Sequence, residues 1–140
     1  MRSLVSRFRR FGRFVMGAEL IDGGVHADAR GKLRFCNGFD MGAVKRFYTV
    51  SNSSESPKRG WIRHERECKW FFPLFGVTLI HVEGDTVYRL DAADPKVLKV
   101  PGGNWFCIEQ DGSAEVQVFS NCRVGEFPND DLRKDFNEEA

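Results

Sequence analysis

The chain is poor in imidazole, tyrosine and proline: three His, two Tyr and five Pro in 140 residues. Catalytic sites that need clusters of histidine therefore have little to draw on. There is no Cys-x-x-Cys pair among Cys36, Cys68, Cys107 and Cys122, and no secretory signal. The four thiols are expected to be reduced, in a cytoplasmic protein. No apolar run approaches the about 20 residues of a membrane span. A glycine-rich phosphate loop and a nucleophile elbow are both missing. The net charge is +1, which excludes a general polyanion binder. Lys58-Arg59 and Arg63–Lys69 form a basic run, but Glu65 and Glu67 interrupt it, so nucleic acid is not an expected partner.

What is present fits one globular domain. Hydrophobic residues make up 41% and charged residues 29%. At this length a core can bury roughly two-thirds of the unfolded surface without a metal or disulfide. Thirteen Phe predict a substantial aromatic interior. The charge is uneven at the ends. Residues 1–16 hold five Arg and no acid, whereas Glu126–Ala140 holds six acids and two bases. In the first segment Leu4, Phe8, Phe11 and Val15 fall on one helical stripe with arginines mostly opposite. Residues 1–20 are accordingly read as a basic extension, helical or mobile, with contact to an anionic membrane surface by residues 1–16 as the less favoured option.

Residues 21–140 read as strands. Short apolar runs alternate with Gly, Asp, Asn, Ser and Pro clusters. The predicted strands are Lys32–Cys36, Val44–Val50, Gly60–Arg63, Lys69–Phe75, Val77–Val82, Thr86–Leu90, Val97–Val100, Trp105–Gln110 and Glu115–Asn121. Only Pro128–Glu139 looks helical. This spacing points to a sandwich or closed barrel. In Val77–Val82 both faces carry apolar side chains, so His81 either faces a cavity or is satisfied near the strand end; the second is favoured.

The order of several short motifs is more specific. Asp28-Ala-Arg-Gly31, Val44-Lys-Arg-Phe-Tyr48, Pro57-Lys-Arg-Gly60, His64, Gly76, Val100-Pro101 and Trp105 follow one another. Val118-Phe-Ser120, Asp131-Leu-Arg133 and Asp135-Phe136 complete the run. This order, over about Gly23 to Phe136, resembles the cupin-type nucleotide-sugar 3,4-ketoisomerases, which are related in fold to the deoxysugar 3,5-epimerases. The resemblance implies an all-β double-stranded β-helix (jelly-roll) barrel, usually a homodimer. It implies a thymidine-diphosphate-linked 4-keto-6-deoxyhexose as substrate, with neither metal nor organic cofactor. The reaction moves a keto group between C4 and C3, and the products serve surface-polysaccharide synthesis.

Such a shift removes a proton alpha to a carbonyl, passes through an enediolate and returns a proton to the neighbouring carbon. Histidine suits the base, because its ordinary pKa lies near neutrality. Donors must meet the developing oxyanion, and arginine's planar fork suits diphosphate. The family signature R-G-x-H-x-H reads here Arg59-Gly-Trp-Ile-Arg-His64. Its first histidine is Ile62, and a later one, after Pro101-Gly-Gly-Asn-Trp105, is Phe106. His64 is thus the candidate base, with Tyr48 as acid or orienter. Arg46, Arg59 and Trp105 are candidate substrate ligands, although strand alternation can also send Arg46 or Tyr48 into a packed wall. Ile62, two residues away on a strand, should share the face of His64 and lower its pKa by desolvation. His64 with Glu67 offers too few ligands for a catalytic metal. The rival reading is a silent module that binds a sugar nucleotide, or regulates a partner, without turnover.

Overall fold

The computed structural model describes residues 17–135, together with the backbone of Arg9–Arg10 and Arg13–Phe14. Among these residues the chain is all β. Arg9–Arg10 (β1) and Arg13–Phe14 (β2) pair antiparallel. The helical option for residues 1–16 is therefore not taken at these four positions, and the rest of that segment lies outside the described residues. Glu19–Asp22 (β3) follows, so the expected boundary after residue 20 falls within a strand. Gly24–Asp28 (β4) and Gly31–Phe35 (β5) form a hairpin. Asp28 closes its turn by accepting from the Arg30 amide at 2.9 Å.

The barrel wall is built from Arg46–Val50 (β6), Lys58–His64 (β7), Lys69–Phe75 (β8), Val77–Val82 (β9), Thr86–Asp91 (β10), Lys96–Val100 (β11), Trp105–Gln110 (β12), Glu115–Ser120 (β13) and Asp131–Arg133 (β14). One sheet has the order β10-β9-β12-β7-β14 and the other β3-β11-β8-β13-β6, all neighbours antiparallel. The predicted strands 69–75, 77–82 and 105–110 have these same limits, because turn residues bracket each apolar run. The predicted helix at Pro128–Glu139 is corrected: Asp131–Arg133 is a strand on the free edge of β7, and no helix occurs among the described residues. A polar segment with little apolar surface to bury has no stripe to hold a helix against the barrel, whereas an open strand edge satisfies its backbone directly.

Between the sheets, Ile62, Phe71, Ile80, Val82, Leu90, Leu98, Val100, Phe106, Ile108, Val116 and Val118 form one core. Each such burial stabilises by about 1.5–3 kcal/mol. The aromatic excess is split rather than internal. Phe71 and Phe106 meet edge-to-face inside, with centroids 5.7 Å apart. Phe39 packs on Trp70 and Phe119 outside, and Phe47 and Phe75 are exposed. Phe47 on β6, Trp70 and Phe75 on β8 and Phe119 on β13 take the outward phase, and Phe39 reaches them from the segment before β6. All four cysteines are free thiols.

One irregularity positions the site. Opposite β12, Phe106 pairs with Ile62 but Cys107 pairs with Gly60, so Trp61 is an extra residue. Its amide and carbonyl turn instead to Lys134. This bulge reverses the side-chain phase, which lets Arg59 share the inner face with Ile62 and His64. Gly60 has φ of 132°, and a Cβ there would stand 2.7 Å from the Phe106 carbonyl oxygen. Gly60→Ala should cost about 2–4 kcal/mol by strain and clash. Chemical denaturation with an unchanged m-value would register it; a loss below about 0.5 kcal/mol would show that the bulge tolerates a side chain.

Candidate active site

At one end of the barrel the two sheets enclose a cavity of about 770 Å³. Its walls follow from strand alternation. Arg46, Tyr48 and Val50 enter from β6, Lys69 and Phe71 from β8, Phe106 and Ile108 from β12, and Arg59, Ile62 and His64 from β7. The segment from Cys122 to Asp131 forms the rim. The cavity brings together four of the five residues named from sequence: His64, Tyr48, Arg46 and Arg59. Trp105 is not among them. Phe106 faces inward, so its neighbour Trp105 takes the opposite face, where Lys134 lies over its ring at 4.5 Å. His81 also faces outward, paired with Glu109 at 2.6 Å, which is the satisfied arrangement favoured from sequence.

His64 is 7% exposed. Its Nδ1 lies 3.2 Å from the Asp130 carbonyl oxygen and 3.6 Å from Glu67 Oε1. A carbonyl only accepts, so this contact assigns the Nδ1–H tautomer and leaves the lone pair on Nε2. That atom is buried and has no hydrogen-bond partner. The ring sits against Phe106, centroids 6.2 Å apart. Its pKa is lowered, first by burial and then by the Lys69 charge; Glu67, Asp131 and the Asp130 carbonyl oppose this without cancelling it. The imidazole is therefore neutral at pH 7.

A chain of polar contacts runs across the floor. Glu67 Oε2 accepts from Ser120 Oγ, lies 3.2 Å from Arg46 Nη2 and 3.4 Å from Lys69 Nζ. Burial raises the Glu67 pKa, but Ser120, Lys69, His64 and Arg46 together outweigh it, so the carboxylate is lowered overall and ionised. Lys69 Nζ donates to the Tyr48 hydroxyl, which frees the phenolic proton for another acceptor. Arg46 also donates to the Cys122 carbonyl at 3.0 Å and lies 5.0 Å over the Tyr48 ring. Arg59, an exposed residue at the cavity edge, is anchored by Nε on Asn52 Oδ1 at 3.2 Å.

The Asp130 carboxylate accepts the amides of Glu65, Arg66 and Glu67 at 2.9–3.2 Å, bracing the β7–β8 turn. His64, Glu67 and Asp130 place ligand-type atoms within 4.8 Å of one another. These groups do not fit a metal ion: Asp130 is engaged by backbone donors, Glu67 by Ser120, Arg46 and Lys69, and two cations flank the space. From sequence, Glu67 was weighed only as a metal ligand beside His64 and Lys69 was not placed in the site, although Lys69 and Phe71 carry the period-2 signal of one inward face of β8. Asp130 left no such local signal.

No family model matches the chain, and no curated protein matches it. Solved structures do. A 3,4-ketoisomerase from Helicobacter canadensis superposes with a TM-score of 0.69 at 16% identity, over 86% of this chain and 92% of that one. QdtA, a sugar 3,4-ketoisomerase from Thermoanaerobacterium thermosaccharolyticum in complex with TDP, gives 0.68 at 18%, over 84% and 88%. ChmJ, a 3'-monoepimerase from Streptomyces bikiniensis in complex with dTDP-quinovose, gives 0.71 at 15%, over 87% and 71%. The fold is thus the cupin double-stranded β-helix that these sugar isomerases and epimerases share.

The tautomer and burial of His64 have a measurable consequence. A group whose folded pKa is depressed binds fewer protons in the native than in the unfolded state below pH about 6.5. Stability should therefore fall as pH drops from 6.5 toward the depressed His64 midpoint and level off below it. Urea denaturation between pH 7.5 and 5 would show a flatter profile in His64→Asn than in the wild type. An identical slope in the two proteins would mean that His64 titrates normally.

Proposed function

We propose that the chain is a nucleotide-sugar isomerase of the ketoisomerase–epimerase kind, acting on a dTDP-linked 4-keto-6-deoxyhexose. One observation carries this reading: a neutral imidazole that lines the cavity, its Nδ1–H pinned by a carbonyl and its buried Nε2 left without a hydrogen-bond partner. A lone pair kept free of solvent and of protein donors is what a base for a C–H proton needs. The nucleotide part of the reading is supported by the TDP and dTDP-quinovose complexes of the two structural relatives.

In this reading His64 Nε2 takes the proton from C3, alpha to the C4 ketone. The electron pair moves to the C4 oxygen, forming an enediolate. The Tyr48 hydroxyl and the Lys69 ammonium supply the donors for that oxyanion. Loss of the C3 hydroxyl proton and return of a proton to C4 then leave the ketone at C3. Arg46 and Arg59 serve the diphosphate. Ile62 and Phe106 contribute no proton; they keep water from the base and hold its pKa down. Homodimer formation, a cytoplasmic setting and a role in surface-polysaccharide synthesis belong to the same proposal. Among the described residues no helix is long and apolar enough to cross a membrane.

Incubation with dTDP-4-keto-6-deoxyglucose in heavy water tests the reading. Deuterium should enter at C3 or C4, and His64→Ala should slow this at least about 100-fold. Its circular dichroism and TDP affinity should stay near wild type. Tight TDP binding by the wild type with no exchange would instead identify a silent binding module.

A further inference from the structure

Ile62 and Phe106 line the cavity with His64, so the base has no histidine neighbour there. The polar half of the cavity is organised by a carboxylate. Glu67 stands in the turn between β7 and β8 and is 7% exposed. Its two oxygens have different tasks. Oε1 faces His64 Nδ1 at 3.6 Å. Oε2 gathers Ser120, Arg46 and Lys69. Through Lys69 it reaches the Tyr48 hydroxyl, and through Arg46 the face of the same ring.

We infer that Glu67 is the positioning residue of this site, a buried anion that holds Arg46 and Lys69 at the cavity wall and balances the imidazolium formed when His64 takes a proton. The inference rests on the reaction proposed above but makes its own prediction about the resting protein. Arg46 and Lys69 are two cations sharing one wall. Without the carboxylate they repel each other and oppose any further positive charge on His64. With it, proton uptake by His64 adds a charge beside an anion rather than beside cations alone. Ser120 fixes the carboxylate rotamer, since its hydroxyl is fully buried and also contacts the Cys122 amide at 3.2 Å. The other groups facing His64 do not substitute for Glu67. The Asp130 carboxylate is committed to three amides. Asp131, across the pair with His64 on β14, is engaged by Arg133 at 2.9 Å. Phe106 on β12 is apolar, and Lys69 on β8 has the wrong sign.

The test is imidazole NMR of His64 in the wild type, Glu67→Gln and Glu67→Asp, with TDP binding and deuterium exchange measured alongside. In Glu67→Gln the His64 titration should move to lower pH, because an attractive charge is lost while shape is kept. Exchange should slow at least about tenfold, with the acid limb of its pH profile moving in the same direction. Glu67→Asp keeps the charge but retracts it. Its His64 midpoint should return toward wild type while TDP binding is weakened about tenfold, since one shorter side chain cannot reach all its partners. An unmoved His64 midpoint in folded Glu67→Gln overturns the inference. Should that variant not fold, wild-type TDP affinity in Glu67→Asp overturns it instead. A wild type that never exchanges deuterium would end the proposed reaction, and the His64 midpoint would still decide the place of Glu67.

Discussion

The carboxylate of Asp130 is the constraint on which the site depends. It accepts three successive amides of the β7–β8 turn, from Glu65 to Glu67. A buried carboxylate would be costly in an apolar interior, but charge-assisted bonds to backbone donors offset that cost. The same residue offers its carbonyl oxygen to His64 Nδ1. One residue near the end of the chain thus fixes the path of the turn, the tautomer of the base and the seat of β14 on β7. Removal of that clamp would free the rim, the imidazole and Glu67 together.

The second determinant is the phase of the strands. Inward positions of β6, β12 and the first half of β8 alternate regularly, so Arg46, Tyr48, Lys69, Phe71, Phe106 and Ile108 arrive in the cavity without special devices. β7 cannot do this alone. Arg59 and Ile62 are an odd number of residues apart, and a regular strand would send them to opposite faces. The extra residue at Trp61, permitted by Gly60, resolves the conflict. A cation and a base then line the same hollow.

The cavity divides into an apolar half and an ionic half. Ile62, Phe71, Phe106 and Ile108 exclude water around His64 Nε2. Arg46, Tyr48, Glu67 and Lys69 form a connected polar set beside it. The low local dielectric created by the first half strengthens every interaction in the second. A depressed His64 and an ionised, buried Glu67 are two results of the same juxtaposition.

By itself, the sequence determined the wall. Alternating apolar residues and well-marked turns define strands such as 69–75, 77–82 and 105–110, because local pattern and burial agree there. The order of short motifs indicated the barrel, and parity along β6 allowed Arg46 and Tyr48 to share a face. Tertiary structure decided the rest. Asp131–Arg133 became a strand because an open edge of β7 was available, not because its own pattern required one. Trp105 turned outward because Phe106 claimed the interior. Asp130 and Glu67 acquired their places through contacts across 53 to 66 residues of chain, between groups that neither periodicity nor composition connects. Local sequence sets the direction of a side chain, whereas its partners are set by which strands close the barrel.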